Sequence, residues 1–271
     1  MRLLQRVRNN QEGSMKGLII KDLMCLRKQI VYYIGIIMSV LVLSVMFVLS
    51  AQFGNIAAEG QNMMAENGLS DVDIKNLSTL VMLLFMAIPI VMVGDVVTII
   101  KEDGKAGFQT LSASLPLSVE KRLLSRFLTV FIMLAIGAGI DLVLSVVLSC
   151  LTDIASFADF LGLIVFVSSL TLMYGFTTTF YSCLFGNKKE SQAQVAGLVT
   201  ILIAFFLYAY PFIRKVFLNI FYGVSMEEDL LETSMDFIKT KSFLLLLIAL
   251  VTALVCYFLS VWTVKKKRRM A

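Results

Sequence analysis

Phe127 to Leu151 reads FLTVFIMLAIGAGIDLVLSVVLSCL, an apolar run broken by a single carboxylate, Asp141. About 20 consecutive apolar residues carry a helix across the roughly 30 Å of a bilayer's hydrocarbon core, so the run reads as a membrane span. Working outward from it, five more stretches have the same character: Ile30–Ala51, Leu77–Ile100, Phe160–Phe185, Val195–Phe212 and Ser242–Val264. Composition agrees, because a chain of 271 residues that is 58% hydrophobic and 16% charged, with mean hydropathy +0.86, cannot hide its apolar residues in one water-soluble core. The expected fold is all-α and integral to a membrane, with six transmembrane helices, since helices satisfy their backbone groups internally. The first span is too long for a cleaved signal core and lacks a small-residue cleavage site, so it is expected to stay as an anchor.

Lys and Arg set the expected orientation. The 24 basic residues gather in residues 1–29, in Lys101–Arg126, at Lys188 and Lys189, and in Lys265–Arg269, with few in the segments between. Basic loops remain on the cytoplasmic side, which places both termini there. Acidic residues take the opposite side: Glu59, Glu66, Asp71 and Asp73 in the first outer loop, and Glu227, Glu228, Asp229, Glu232 and Asp236 in the last. The net charge of +5 therefore follows topology and does not point to nucleic acid.

Outside the spans the chain divides into short pieces. Residues 1–14, MRLLQRVRNNQEGS, are polar and basic and read as an extension, with translation expected to start at Met15. Residues 15–29, MKGLIIKDLMCLRKQ, set Leu18, Ile19, Leu23 and Leu26 on one side and Lys16, Lys21, Asp22 and Lys28 largely around the other, the pattern of an interfacial helix. The transmembrane body is residues 30–264, and residues 265–271 form a basic cytoplasmic tail. Between spans five and six, Arg214–Lys241 begins with the aromatic-rich Val216–Tyr222, for which a short re-entrant or interfacial helix is expected and an extended fifth span is the rival reading.

The longest polar segment on the cytoplasmic side is Lys101–Arg126, KEDGKAGFQTLSASLPLSVEKRLLSR. Phe108, Leu111 and Leu115 stand at i, i+3 and i+7, an apolar stripe on a short helix. Pro116 ends that helix, because it lacks an N–H and turns Leu115 away from helical angles, and Ser118 is placed to cap the next one. The apolar stripe could dock on a protein or lie on lipid headgroups.

Several chemistries are excluded. Without histidine there is no His-based metal site, Ser-His or Cys-His catalysis or histidine proton relay. The four cysteines, Cys25, Cys150, Cys183 and Cys256, form no C-x-x-C pair, so neither disulfide nor metal is expected. Gly186-Asn187-Lys188-Lys189-Glu190-Ser191 lacks the spacing of a phosphate-binding loop, so ATP, if it drives this protein, binds another chain. Two carboxylates lie in apolar runs. A charge facing hydrocarbon costs about 2.5–3.5 kcal/mol, so Asp95 and Asp141 are both expected to face other helices. Asp95, about one and a half turns from Lys101, could pair with Arg122 or Arg126. Asp141 lies deeper, behind a GAG triplet that permits close helix approach. For both, a structural role and a transport role remain open.

The run M-K-G-L-x-x-K-D-L-x-x-L-R-K-Q from Met15 to Gln29, the Gly94-Asp95 pair of span two, and E-D-G-K…L-S-A-S-L-P-L-S from Glu102 to Ser118 together resemble the ABC-2 type permeases of bacterial ABC transporters, notably the short six-span type of Gram-positive bacteria. The resemblance covers the chain from Met15 onward. It implies a non-catalytic, multi-pass subunit of the bacterial cell membrane that pairs with a second permease subunit, like or related. ATP and Mg would sit on a separate ABC ATPase subunit, and none of this chain's residues would bind a cofactor. The implied ATPase contacts are Lys21 and Asp22 in the N-terminal helix and Glu102, Asp103, Gly104, Phe108, Leu111, Leu115 and Pro116 in a coupling helix between spans two and three. Ala106-Gly107 departs from the family pattern, which often has an aromatic there. Export of a peptide, toxin or hydrophobic compound is the implied activity. The alternative from another class is an ion-coupled secondary transporter or channel using Asp95 and Asp141, against which stands the lack of an inverted repeat with broken spans.

Overall fold

The computed structural model describes residues 16–27, 30–35, 39, 42, 87–94, 96, 118–151, 157–186, 189–222 and 227–270. Within these residues the backbone is helical almost throughout. We label the helices α1 (16–27), α2 (30–35), α3 (87–94), α4 (Val119–Leu151), α5 (Phe157–Phe185), α6 (Glu190–Tyr222) and α7 (Glu227–Met270). Among the described residues, four stretches are long and apolar enough to cross a membrane: Val119–Val147, Phe157–Phe185, Ser191–Arg214 and Phe237–Lys267. They are the third to sixth predicted spans. The first two predicted spans fall largely outside the described residues, as do Lys101–Leu117 and the first outer loop.

The start of α4 follows from its cap. Ser118 Oγ accepts a hydrogen bond from the Lys121 N–H at 3.4 Å, and the Arg122 N–H bonds the Ser118 carbonyl at 3.2 Å, which opens the helical ladder. Glu120 in the first turn suits the positive end of the helix dipole.

α5 is the hub, and most of its span is buried against α4, α6 and α7. Several of its hydroxyls tolerate burial by bonding back onto their own helix, although Ser168 Oγ and Thr178 Oγ1 have no hydrogen-bond partner among the described residues. Ser169 donates to the Val165 carbonyl at 2.6 Å, Thr177 to Met173 at 2.7 Å, Thr179 to Gly175 at 2.6 Å and Ser182 to Thr178 at 2.9 Å. Small residues then let neighbours come close: a Cβ built on Gly197 of α6 would meet Thr178 Oγ1 at 2.4 Å.

One apolar core joins the elements. Leu26 of α1, Met92 and Val93 of α3, Phe127, Val130 and Leu134 of α4, Phe166, Leu172 and Phe176 of α5, and Leu245 and Ala249 of α7 belong to it. Phe127 stacks on Phe176 with ring centroids 4.9 Å apart and meets Tyr257 edge-on at 5.6 Å, so three helices share one aromatic contact.

Two expectations change. Residues 216–222 do not form a separate short helix; they continue α6, which runs unbroken from Glu190 to Tyr222 through Pro211. The proline gives up its N–H bond and crowds the carbonyl one turn earlier, but where water is scarce the remaining backbone groups still favour the helix. At 33 residues α6 is about 50 Å long, so its last turns project beyond a 30 Å core. In α1, Asp22 does not share the exposed side with Lys16: it is 7% exposed, one turn before the fully buried Leu26. Docking of α1 on the bundle through Leu26 carries Asp22 inward.

Candidate functional site

The helices alternate in direction, and their ends are pinned by charge. At one end Lys265 of α7 pairs with Glu120 of α4. Two residues on, Lys267 Nζ donates to the carbonyls of Cys183 at 2.9 Å and Leu184 at 2.6 Å, at the C-terminus of α5. Those carbonyls have no partner within the helix, and a cation there also suits the helix dipole. The same terminus is closed by Gly186, whose φ of +79° is a left-handed angle that side chains resist, with its N–H bonded to Ser182 O at 3.0 Å. Beneath the charges, Val119, Leu123 and Val261 form a small apolar cluster. The C-terminal end of α7 thus clamps the start of α4 and the end of α5.

At the opposite end Lys239 of α7 pairs with Asp159 of α5, and Tyr208 of α6 donates to the Lys241 carbonyl at 2.8 Å. Phe212 stacks on Phe237 with centroids 4.9 Å apart. Between the two ends lies a belt of exposed apolar side chains, among them Phe131, Val143, Leu202, Phe206, Leu247, Leu254 and Phe258.

The predicted partner-contact residues divide. Glu102, Asp103, Gly104, Phe108, Leu111, Leu115 and Pro116 lie outside the described residues, as does Asp95. Lys21 and Asp22 form an ion pair of 3.2 Å in α1, with Lys21 the more exposed partner. The described chain resumes at Ser118, directly ahead of the Glu120–Lys265 clamp. Neither Glu120 nor the clamping lysines was singled out from sequence. The basic run at 265–269 was visible there only as a topological anchor, and its pairing across 83 to 145 residues is not a local signal.

Asp141 is 1% exposed, and its two carboxylate oxygens have no hydrogen-bond partner among the described residues. One turn earlier Gly137 meets Pro89 of α3, where a Cβ would come within 2.9 Å of the proline Cα. Asp141 is thus buried, one turn from that close α3–α4 approach. No group of three or more His, Cys, Asp or Glu side chains among the described residues could hold a metal ion.

Long apolar helices, hydroxyls turned onto their own backbone and charges confined almost wholly to the two ends define a multi-pass helical membrane protein. A family model described as ABC-2 family transporter protein matches residues 72–265, and the chain belongs to that family as a membrane permease of an ABC transporter. No curated protein and no solved structure matches it.

Proposed function

We propose that the chain is the six-span, non-catalytic subunit of a bacterial plasma-membrane exporter, driven by ATP that a separate ABC ATPase subunit hydrolyses. Two permease subunits, like or related, pair with the ATPase at the cytoplasmic side. Both termini lie on that side, which makes the clamped end the cytoplasmic one. The ATPase contacts α1 through Lys21 and Asp22 and the 101–117 segment through Glu102, Asp103, Gly104, Phe108, Leu111, Leu115 and Pro116. The cargo is a peptide, toxin or hydrophobic compound.

The observation that supports this reading is that the family's matched region contains a capped, clamped helix, α4, directly after residues 101–117. Any pull on residues 101–117 reaches Ser118, then the first turn of α4, then α5 and α7 through Lys265 and Lys267. A capped helix transmits displacement, whereas a loose loop absorbs it. The test is nucleotide turnover. We expect the purified chain alone to hydrolyse no ATP, having no phosphate-binding loop, and to co-purify from its native membrane with a soluble ATPase. Turnover by the isolated chain at a stoichiometric rate contradicts the reading.

The buried carboxylate of Asp141, which has no hydrogen-bond partner among the described residues, favours one second reading, an ion-coupled transporter or channel using Asp141 and Asp95. Removing the charge at Asp141 separates the two.

A further inference from the structure

Lys265, Lys266 and Lys267 are consecutive in a helix, so each points about 100° away from the next and the three cannot share a partner. Lys265 is held by Glu120 and Lys267 by the α5 carbonyls, contacts that reach across the bundle's exposed end. Lys266 points elsewhere. Its Nζ lies 5.1 Å from the centroid of the Trp262 ring, one turn earlier, and Trp262 is 61% exposed. Below Trp262 the same face of α7 continues with Phe258, Leu254, Val251 and Leu247, all exposed and all apolar, at helical spacing.

We propose that Lys266, Trp262 and this stripe form a binding site for an anionic phospholipid. The stripe takes an acyl chain, the indole sits at the level of the glycerol backbone, and the Lys266 ammonium meets the headgroup phosphate. The chemistry of the surface selects that occupant. An apolar track crowned by a tryptophan and an outward cation matches a molecule with a hydrocarbon tail and a negative head, and the cation–π contact holds the lysine over the track rather than letting it reach into water. A zwitterionic lipid fits the track but offers no net charge to the lysine, so the site discriminates by headgroup.

Trp262 is the chain's only tryptophan and reports on the site directly. The full-length chain is reconstituted in phosphatidylcholine vesicles carrying, at equal mole fraction, either dibrominated phosphatidylglycerol or dibrominated phosphatidylcholine, and quenching of indole fluorescence is read. One lysine near an anionic lipid surface corresponds to roughly fivefold enrichment, so we expect brominated phosphatidylglycerol to quench about fivefold more effectively per molecule. Lys266→Gln should abolish the preference, while Lys266→Arg and Lys265→Gln should keep it, the latter because Lys265 is engaged with Glu120. Equal quenching by the two lipids, or a preference that survives Lys266→Gln, overturns the proposal. So does an indole that neither lipid quenches, which would mean that another protein surface covers the stripe.

Discussion

Gly137 and Gly139 lie two residues apart in α4 yet meet different surroundings. A Cβ on Gly137 would come within 2.9 Å of the Pro89 backbone, whereas nothing stands within 4 Å of one on Gly139. Overpacking against backbone costs typically 1–3 kcal/mol, while Ala is favoured over Gly in a helix interior by about 1 kcal/mol. Gly137→Ala should therefore lower the thermal stability of the detergent-solubilised protein, and Gly139→Ala should leave it unchanged or raise it. Equal effects would mean that the α3–α4 contact is not where Pro89 places it. From sequence the GAG triplet promised close approach without saying which glycine makes it, because the choice depends on the crossing helix. Asp141 poses the sharper question. Asp141→Asn keeps the volume and removes the charge, so the fold should persist. An ATP-driven permease should keep transporting, whereas an ion-coupled carrier should lose transport with assembly intact.

At the scale of the element, the start of α4 was legible, whereas the limits of α6 and α7 were not. Ser118 announced the start of α4 through proline two residues before it and a polar first turn behind it, and its hydroxyl is found on the Lys121 N–H. Loss of an N-cap costs about 1 kcal/mol, concentrated in the first turn. We expect Ser118→Ala to speed amide hydrogen exchange at residues 119–121 while leaving the middle of α4 unchanged, as mass spectrometry of exchanged peptides would show. Uniform exchange across the helix in both proteins would remove the cap from the account. The C-terminal ends misled because apolar runs mark where lipid stops, not where a helix stops. α7 extends from Glu227 to Met270 through charged residues on both sides of its apolar centre, and α6 passes Pro211 and Arg214 to reach Tyr222. Nothing in that charge change requires the backbone to leave its ladder. The inward placement of Asp22 escaped notice for a related reason. Spacing assigns a residue to one side of a helix, but α1 turns out to be held by Leu26, one turn beyond that carboxylate.

For the whole molecule, desolvation made the fold class readable. Runs such as Phe160–Phe185 and Ser242–Val264 have no water-soluble solution at this length, and each lies within one long helix of the structure. What sequence could not supply is how the helix ends are tied, since Lys265–Glu120 and Lys267 with the α5 carbonyls join residues far apart in the chain. Those ties give the proposed drive a route: partner, residues 101–117, Ser118, α4, then α5 and α7. The claim on which everything else depends is that Phe108, Leu111 and Leu115 seat in the ATPase. Removing an apolar anchor from the centre of an interface commonly costs about 2 kcal/mol or more, roughly a thirtyfold loss of affinity. The most direct measurement is a detergent pull-down of the ATPase by the Phe108→Ala/Leu111→Ala double variant against the unaltered chain. The account predicts at least a thirtyfold weaker capture by a variant that still inserts and folds, and normal capture would contradict it by leaving that stripe on the lipid headgroups.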